Sequence, residues 1–444
     1  MSHDPYHFSR ESEEDKIKMV HRERDQHRAA VAQRKARQKR QAITIGVIAF
    51  LIIGALALFI AFAGTGLTSA EEENTVVTEE MLPEVTGYRS FTLLATGDNL
   101  LHTKLYNEAN SRAGGTGYDF TALYEGVADL TKTADICFIN QETPLATAIA
   151  EPSSYPMFNT PTETVEDLHK IGFNVFNNVS NHTLDKGCKG VEATVDALSS
   201  IPDSMYVGAY KNTAEMEQVH AMEVNGIKVA FVGFTEMTNG ITKDPASEVA
   251  FVYTSDEAEM EKLVKMARDG ADVVVVSVHW GEENVFSAND GQRALAQKFA
   301  DWGADIILGH HPHVLEEIEN VTSADGRVVP VCYSLGNFTS TMNLQANHVG
   351  GFFKCSVIVD NATGEVRLAD EEFIPVINHF RAGKNGIRVV LYSNYDATME
   401  NENGFQITRS YVDNLLRDTV GTDLVKGLEP IAPAAEQEGD GNEQ

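Results

Sequence analysis

The 444-residue chain carries 65 Asp and Glu against 35 Lys and Arg, a formal charge of −30, and is long enough for one large domain or two ordinary ones. The charge is uneven: residues 1–42 hold 11 basic against 7 acidic side chains, and the remainder holds 24 against 58, or −34. Such an acidic body repels phosphate backbones, which excludes nucleic acid as its partner, and it admits an acidic substrate only through a mediating cation.

In chain order, the first segment (1–42) is charged and helix-favouring and ends in RKARQKRQ (34–41). ITIGVIAFLIIGALALFIAFA (43–63) follows, 21 residues without a charge, enough for a helix across about 30 Å of hydrocarbon. Ala61-Phe62-Ala63 resembles a signal cleavage triplet, but the segment before the apolar run is too long for an ordinary signal peptide. The basic flank lies on one side only. The positive-inside rule therefore predicts a single-pass cell-membrane anchor, with 1–42 cytoplasmic and the C-terminal body outside. Residues 64–88 read as a linker. The body is predicted over 89–380, with a C-terminal extension over 381–426 and a disordered acidic tail over 427–444.

Within the body, FTLLAT (91–96), ICFIN (136–140), FNVFNNV (173–179), KVAFVGFT (228–235), VVVVSVHW (273–280), DIILG (305–309), VVPVCYSL (328–335) and FKCSVIVD (353–360) read as strands. Helical patterns fall near 120–132, 162–171, 188–199, 255–269 and 289–302. Runs that are apolar throughout imply strands covered on both faces, and the helices between them imply parallel βαβ crossovers. The fold class is α/β, with more antiparallel character after about 325. Cys137, Cys332 and Cys355 lie in apolar runs, where a buried free thiol is the default; Cys188 lies elsewhere, and no CxxC spacing occurs.

In such folds reactive groups collect at the carboxyl ends of the strands. Five strand ends conform. FTLLAT leads to Asp98 after a Gly, ICFIN to Asn140 and Glu142, FNVFNNV to Asn181 and His182, VVVVSV to His279 and Glu282, and DIILG to His310, His311, Pro312 and His313. Each ending alone has a plainer explanation, such as a helix cap for Asp98 or a hydrogen-bonded core histidine for His279. Together they suggest one rim of metal ligands. Mixed N and O donors suit Mn²⁺, Fe or Zn²⁺, one or two ions per chain, and do not suit Ca²⁺ or a thiolate site. Asn140 suits an orienting role beside a ligand, and Glu282 can hold the His279 ring. His310 is an alternative to His311, since consecutive side chains point apart. Asp185 closes a turn with Gly187, and Asn337 in YSLGNF (333–338) lines the same rim. No G-x-S-x-G elbow, P-loop or G-x-G-x-x-G after a strand is present, which sets aside serine hydrolase, NTPase and dinucleotide enzyme.

GDNLL, NQETPL, SNHTLDKG, HWGEE, GHHPHVLEEIE and YSLGNF, in this order, resemble the CapA family of capsule and poly-γ-glutamate synthesis proteins. That family in turn resembles the calcineurin-like metallophosphoesterases. The resemblance implies a four-layer α/β/β/α sandwich behind a single N-terminal transmembrane helix. Carried over by position, it implies Asp98, Asn181, His279, His311 and His313 as metal ligands, with Glu142 as the replacement for a bridging Asp and His182 assisting the leaving group; Asp185, three residues on from His182, is a further catalytic candidate read from the turn itself. Two departures stand out. Asn99 and Leu100 follow Asp98 where the phosphoesterases have Asp-x-His, with His102 out of register, and Glu142 replaces the bridging Asp. Two functions follow as expectations: a metal-dependent hydrolase-like protein of capsule polymer biosynthesis or export, or a non-catalytic subunit that grips an anionic polymer. The expected partners are an anionic envelope polymer or phosphoester substrate, the membrane, and other capsule-synthesis membrane proteins.

Overall fold

The structure is a computed structural model that describes residues 87–381 and 385–428. The predicted cytoplasmic segment 1–42, the span 43–63, all but the end of the linker 64–88, and the tail beyond 428 lie outside the described residues. Among the described residues no helix is long and apolar enough to cross a membrane.

Two sheets make up the fold. β1 (Tyr88–Asn99), β2 (Ile136–Asn140), β3 (Val175–Asn177) and β4 (Met205–Val207) run parallel in sheet 1. β5 (Ala221–Val224), β6 (Ile227–Thr235), β7 (Val273–His279), β8 (Ile306–His310), β9 (Ile318–Thr322) and β10 (Val328–Cys332) form sheet 2 in the order β5-β6-β7-β8-β10-β9. The chain then returns to sheet 1 as β11 (Asn337–Thr339), β12 (Val349–Asp360), β13 (Val366–Arg381) and β14 (Asn385–Leu391). Sheet 1 reads β14-β13-β12-β1-β2-β3-β4, with β11 alongside the end of β1. Strands β12 to β14 are antiparallel neighbours, as the sequence after about 325 suggests.

The unbroken apolar runs have the cause their composition implies: each strand is covered on both faces. Ile136 and Phe138 enter the core between the sheets, while Cys137 and Ile139 enter a second core under helices α1 (Thr103–Arg112), α2 (Glu163–Lys170) and α3 (Gly187–Ser199). In sheet 2, Val273 and Val275 face the inter-sheet core, and Val274, Val276 and Val278 face α4 (Glu257–Gly270) and α5 (Asp290–Trp302). Phe138 of sheet 1 stacks on Phe231 of sheet 2 with ring centroids 6.1 Å apart. Helices thus lie against both outer faces of a paired-sheet core, and this mixed α/β layering brings the carboxyl ends of two parallel strand sets to one place. All four cysteines are free, and Cys137, Cys332 and Cys355 are buried.

Residues 381–426 do more than pack on the domain. β14 extends sheet 1, and α6 (Arg409–Asp418) with the segment after it inserts Val412, Leu416, Val420 and Val425 into the inter-sheet core. The sequence shows no strand over 366–381 because residues such as Asp370, Glu371 and Glu372 interrupt its pattern there. β13 survives by pairing on both sides.

Candidate metal centre

Three parallel strand ends of sheet 1 are tied by side-chain amides. Asn177 Nδ2 donates to Asn140 Oδ1 at 2.6 Å, and Asn140 Nδ2 donates to Asp98 Oδ1 at 2.7 Å. Two glycines permit the backbone approach. A Cβ on Gly97 would lie 1.8 Å from the Gly336 carbonyl oxygen, and one on Gly309 would lie 2.0 Å from that of Tyr333.

Glu142 is the centre of the arrangement. Ser180 Oγ holds its carbonyl at 2.6 Å, but both carboxylate oxygens are buried without a hydrogen-bond partner. Oε1 faces three imidazole Nε2 atoms, of His313 at 3.6 Å, His279 at 3.8 Å and His182 at 4.0 Å. These separations are too long for hydrogen bonds. They match donors that share an ion, since two ligands each about 2.1 Å from a metal sit roughly 3–4 Å apart. Burial pushes the Glu142 carboxyl well above its ordinary range; the charge of His313 opposes this, and Asp98 and Glu283 add to it. An orphaned buried carboxylate ringed by imidazoles fits a divalent cation.

The His turn supplies those imidazoles through an unusual backbone. His311 and His313 have φ of 100° and 57°, a left-handed region that side chains other than glycine rarely adopt and that clusters at functional sites. The His311 N–H donates to Asp98 Oδ2 at 3.3 Å, and the His311 ring lies 4.8 Å from that of His279. His313 Nδ1 sits 3.0 Å from Asp98 Oδ2 and 3.0 Å from Asn337 Oδ1, which leaves Nε2 for Glu142. That is the carboxylate–histidine arrangement typical of oriented metal ligands. His279 Nε2 lies 3.0 Å from Asn181 Oδ1.

Three sets of donor atoms lie within 4.8 Å of one another: Glu142, His279 and His311; Asp98, Glu142 and His313; and Glu283, His311 and His313. Glu142, His311 and His313 each belong to two of these sets. The electrostatics agree. Burial, then the neighbouring imidazoles, holds His279 well below its ordinary value, and His311 is held to about 4 by burial and His313. Burial opposes protonation of His313 as well, but Glu142 and Asp98 overcome it and raise that imidazole to about 10. Burial pushes Asp98 up, yet the bonded, charged His313 holds it below its usual value. The two carboxylates demand positive charge. A proton on His313 supplies one unit; a divalent ion supplies two and displaces that proton.

His182 stands at the edge of this cluster. Its Nδ1 lies 2.7 Å from Asp185 Oδ2, which also accepts the Phe158 N–H at 2.7 Å. Asp185 thereby turns Nε2 towards Glu142, and the Phe158 ring packs edge-on at 4.7 Å. His182 and Asp185 form a buried dyad facing the donors.

The structure therefore brings together Asp98, Asn140, Glu142, Asn181, His182, Asp185, His279, His311, His313 and Asn337. One expectation fails in detail. Glu282 is exposed, and it is Asn140 Nδ2 that lies against His279 Nδ1, at 3.4 Å. His310 stacks on Phe138 at 5.7 Å with neither ring nitrogen hydrogen-bonded; its Nδ1 lies 3.9 Å from Asp98 Oδ1, beside the centre though in none of the three donor sets, and burial holds it at about 4 against the pull of Asp98. Two neighbours carried no sequence signal. Asn239 accepts from Asn181 Nδ2 at 3.3 Å and lies 3.4 Å from His182 Nδ1. Glu283 differs from Glu282 by a single step along a turn, which no spacing rule resolves. His102 precedes α1, and its Nδ1 accepts the Thr341 N–H at 3.2 Å, away from the donor sets.

A family described as "Bacterial capsule synthesis protein PGA_cap" matches residues 92–342. The capsule biosynthesis protein CapA of Bacillus anthracis is 37% identical over 179 residues, covering 40% of this chain and 42% of that protein. The PGA biosynthesis protein CapA of Bacillus subtilis (strain 168) is 36% identical over 179 residues, covering 40% and 46%. The chain thus matches less than half the length of these curated relatives. Among solved structures, a novel phosphatase of Mycoplasma pneumoniae aligns at 13% identity and a TM-score of 0.40, covering 66% of this chain and 95% of that one. A likeness of that size carries no argument about activity.

Proposed function

Since this chain belongs to the bacterial capsule synthesis PGA_cap family, we propose that it serves the biosynthesis or export of an anionic envelope polymer, poly-γ-glutamate or a relative, through a divalent-metal centre of hydrolase type. One observation carries the metal reading: the buried Glu142 carboxylate has no hydrogen-bond partner and faces three imidazole nitrogens at 3.6–4.0 Å. Glu142, shared between two donor sets, supports two ions, Mn²⁺, Fe or Zn²⁺ by donor chemistry. In this reading Asp98, Glu142, Asn181, His279, His311 and His313 are the ligands. A bound ion supplies an activated water and neutralises charge on the attacked group.

The chain's own residues do the rest. Asp185 holds the Nδ1 proton of His182, so Nε2 is the atom that gives a proton to a leaving group or takes one from water. Asn140 and Asn337 hold Asp98 and His313 in their orientations. The buried donors exclude bulk water, which strengthens each electrostatic contact. A cation here also offsets the −34 body charge for an anionic polymer. The predicted span 43–63 would anchor the domain outside the cell membrane beside other capsule-synthesis proteins.

The test is metal content of the full-length protein in detergent, followed by turnover of a chromogenic phosphodiester and of a γ-glutamyl polymer with and without chelator. Chelator-sensitive turnover lost in His182→Ala is the expected result. Bound metal without turnover of either substrate would favour the polymer-gripping role, and a protein that binds no divalent metal would sink both.

A further inference from the structure

The three donor sets contain three side chains each, whereas Zn²⁺ takes four ligands and Mn²⁺ or Fe takes more. Asn181 Oδ1, 3.0 Å from His279 Nε2, adds a fourth donor beside the set that holds His279. Glu283 is the one exposed member of the sets, its carboxylate within 4.8 Å of ligand nitrogens of His311 and His313. Its place is held from both sides. The Gly281 N–H donates to Glu236 Oε2 at 2.9 Å, with φ of 90° at that glycine. On the other side, the Asn284 N–H donates to the Pro312 carbonyl at 2.8 Å, and Asn284 Oδ1 accepts from Asn347 Nδ2 at 2.9 Å. The loop after β7 is thus tied directly to the His turn, and residue 283 lies between the ties.

We propose that Glu283 is an additional carboxylate ligand, entering from sheet 2 on the solvent side of the ion position shared by His311 and His313. The inference rests on the metal reading of this centre. Every other ligand is buried. Glu283 alone can leave and return without disturbing that set, so an anionic group of a bound molecule can replace it. A charge that merely feels the site would act through the field, and the adjacent Glu282 offers the same charge without membership of any donor set among the described residues.

The experiment strips the full-length protein in detergent with chelator and titrates it with Mn²⁺, reading bound metal by equilibrium dialysis and the Mn²⁺ magnetic resonance signal. Wild type, Glu283→Gln, Glu283→Asp and Glu282→Gln are compared. Removal of a ligand weakens one Mn²⁺ by at least about tenfold in Glu283→Gln, with a smaller loss in Glu283→Asp and less than about a twofold change in Glu282→Gln. Unchanged binding in Glu283→Gln, or an equal loss in Glu282→Gln, overturns the assignment while leaving the buried centre standing. A wild type that binds no Mn²⁺ overturns the buried centre as well. Metal-free melting temperatures report folding, and an exposed Glu→Gln change leaves them in place.

Discussion

The two sheets contribute to the centre in different chemical currencies. Sheet 1 delivers the buried oxygen donors, with Asp98, Glu142 and Asn181 following its strands; sheet 2 delivers the imidazoles, with His279 at the end of β7 and His311 and His313 in the turn after β8, and one exposed carboxylate, Glu283. The oxygen side is held by a ladder of amides, Asn177 to Asn140 to Asp98. The imidazole side is held by two left-handed residues and by backbone packing at Gly309. Only Glu142 lacks such support. The difference teaches that the two donor sets containing Glu142 draw on both sheets, so Glu142 is the group that most requires a cation where the sheets meet. The set of Glu283, His311 and His313 lies on sheet 2 alone.

The largest break in that comparison comes from Glu142→Gln. It removes a carboxyl whose burial disfavours ionisation and whose oxygens have no hydrogen-bond partner, so the metal-free protein melts higher than wild type, while the stabilisation gained on adding metal disappears. That gain is about 3–4 kcal/mol for an ion at 100 to 1,000 times its Kd, and melting with and without Mn²⁺ reads both halves. A metal-induced stabilisation as large as that of wild type would contradict the role of Glu142. Next is Gly309→Ala, which drives a methyl against the Tyr333 carbonyl and the Trp280 indole. Overpacking costs about 1–3 kcal/mol and displaces the imidazoles of sheet 2, so denaturant titration and metal affinity fall together, whereas a surface Ala substitution moves neither.

A smaller effect separates the centre from its support. Glu316, three residues past His313, is buried, with one oxygen accepting from Gln292 Nε2 at 2.9 Å. Burial raises it from its ordinary 4.5 to about 8, with Glu317 adding and Gln292 opposing. A carboxyl raised in the folded state keeps its proton there after the unfolded chain has lost it, so stability falls as pH rises from about 4.5 towards about 8. Glu316→Gln flattens that slope in metal-free melting curves from pH 5 to pH 8. A slope identical to wild type would show that Glu316 is not its source.

Much of the scaffold was legible because strands covered on both faces leave unbroken apolar runs. ICFIN is a strand over its whole length, and the five helical stretches lie within a few residues of their observed places. Donor types were legible too, because Asp, Asn and His at strand ends are visible one by one. Direction was not. His310, His311 and His313 are equivalent in the sequence, and the left-handed turn places 311 and 313 in the donor sets while 310 stacks on Phe138 beside Asp98. The same holds for Glu282 and Glu283. β13 was illegible because its pairing partners, not its own composition, make it a strand.

By itself the sequence determined the layered class, the strand ends and the chemical types available there, since burial and periodicity are local properties of a chain. The tertiary structure alone decided which of those side chains meet, that Glu142 lies between two sheets without a hydrogen-bond partner, and that Asp185 aims His182. Such proximity depends on how two sheets face each other across a shared core, and that is set by packing between residues far apart in the chain.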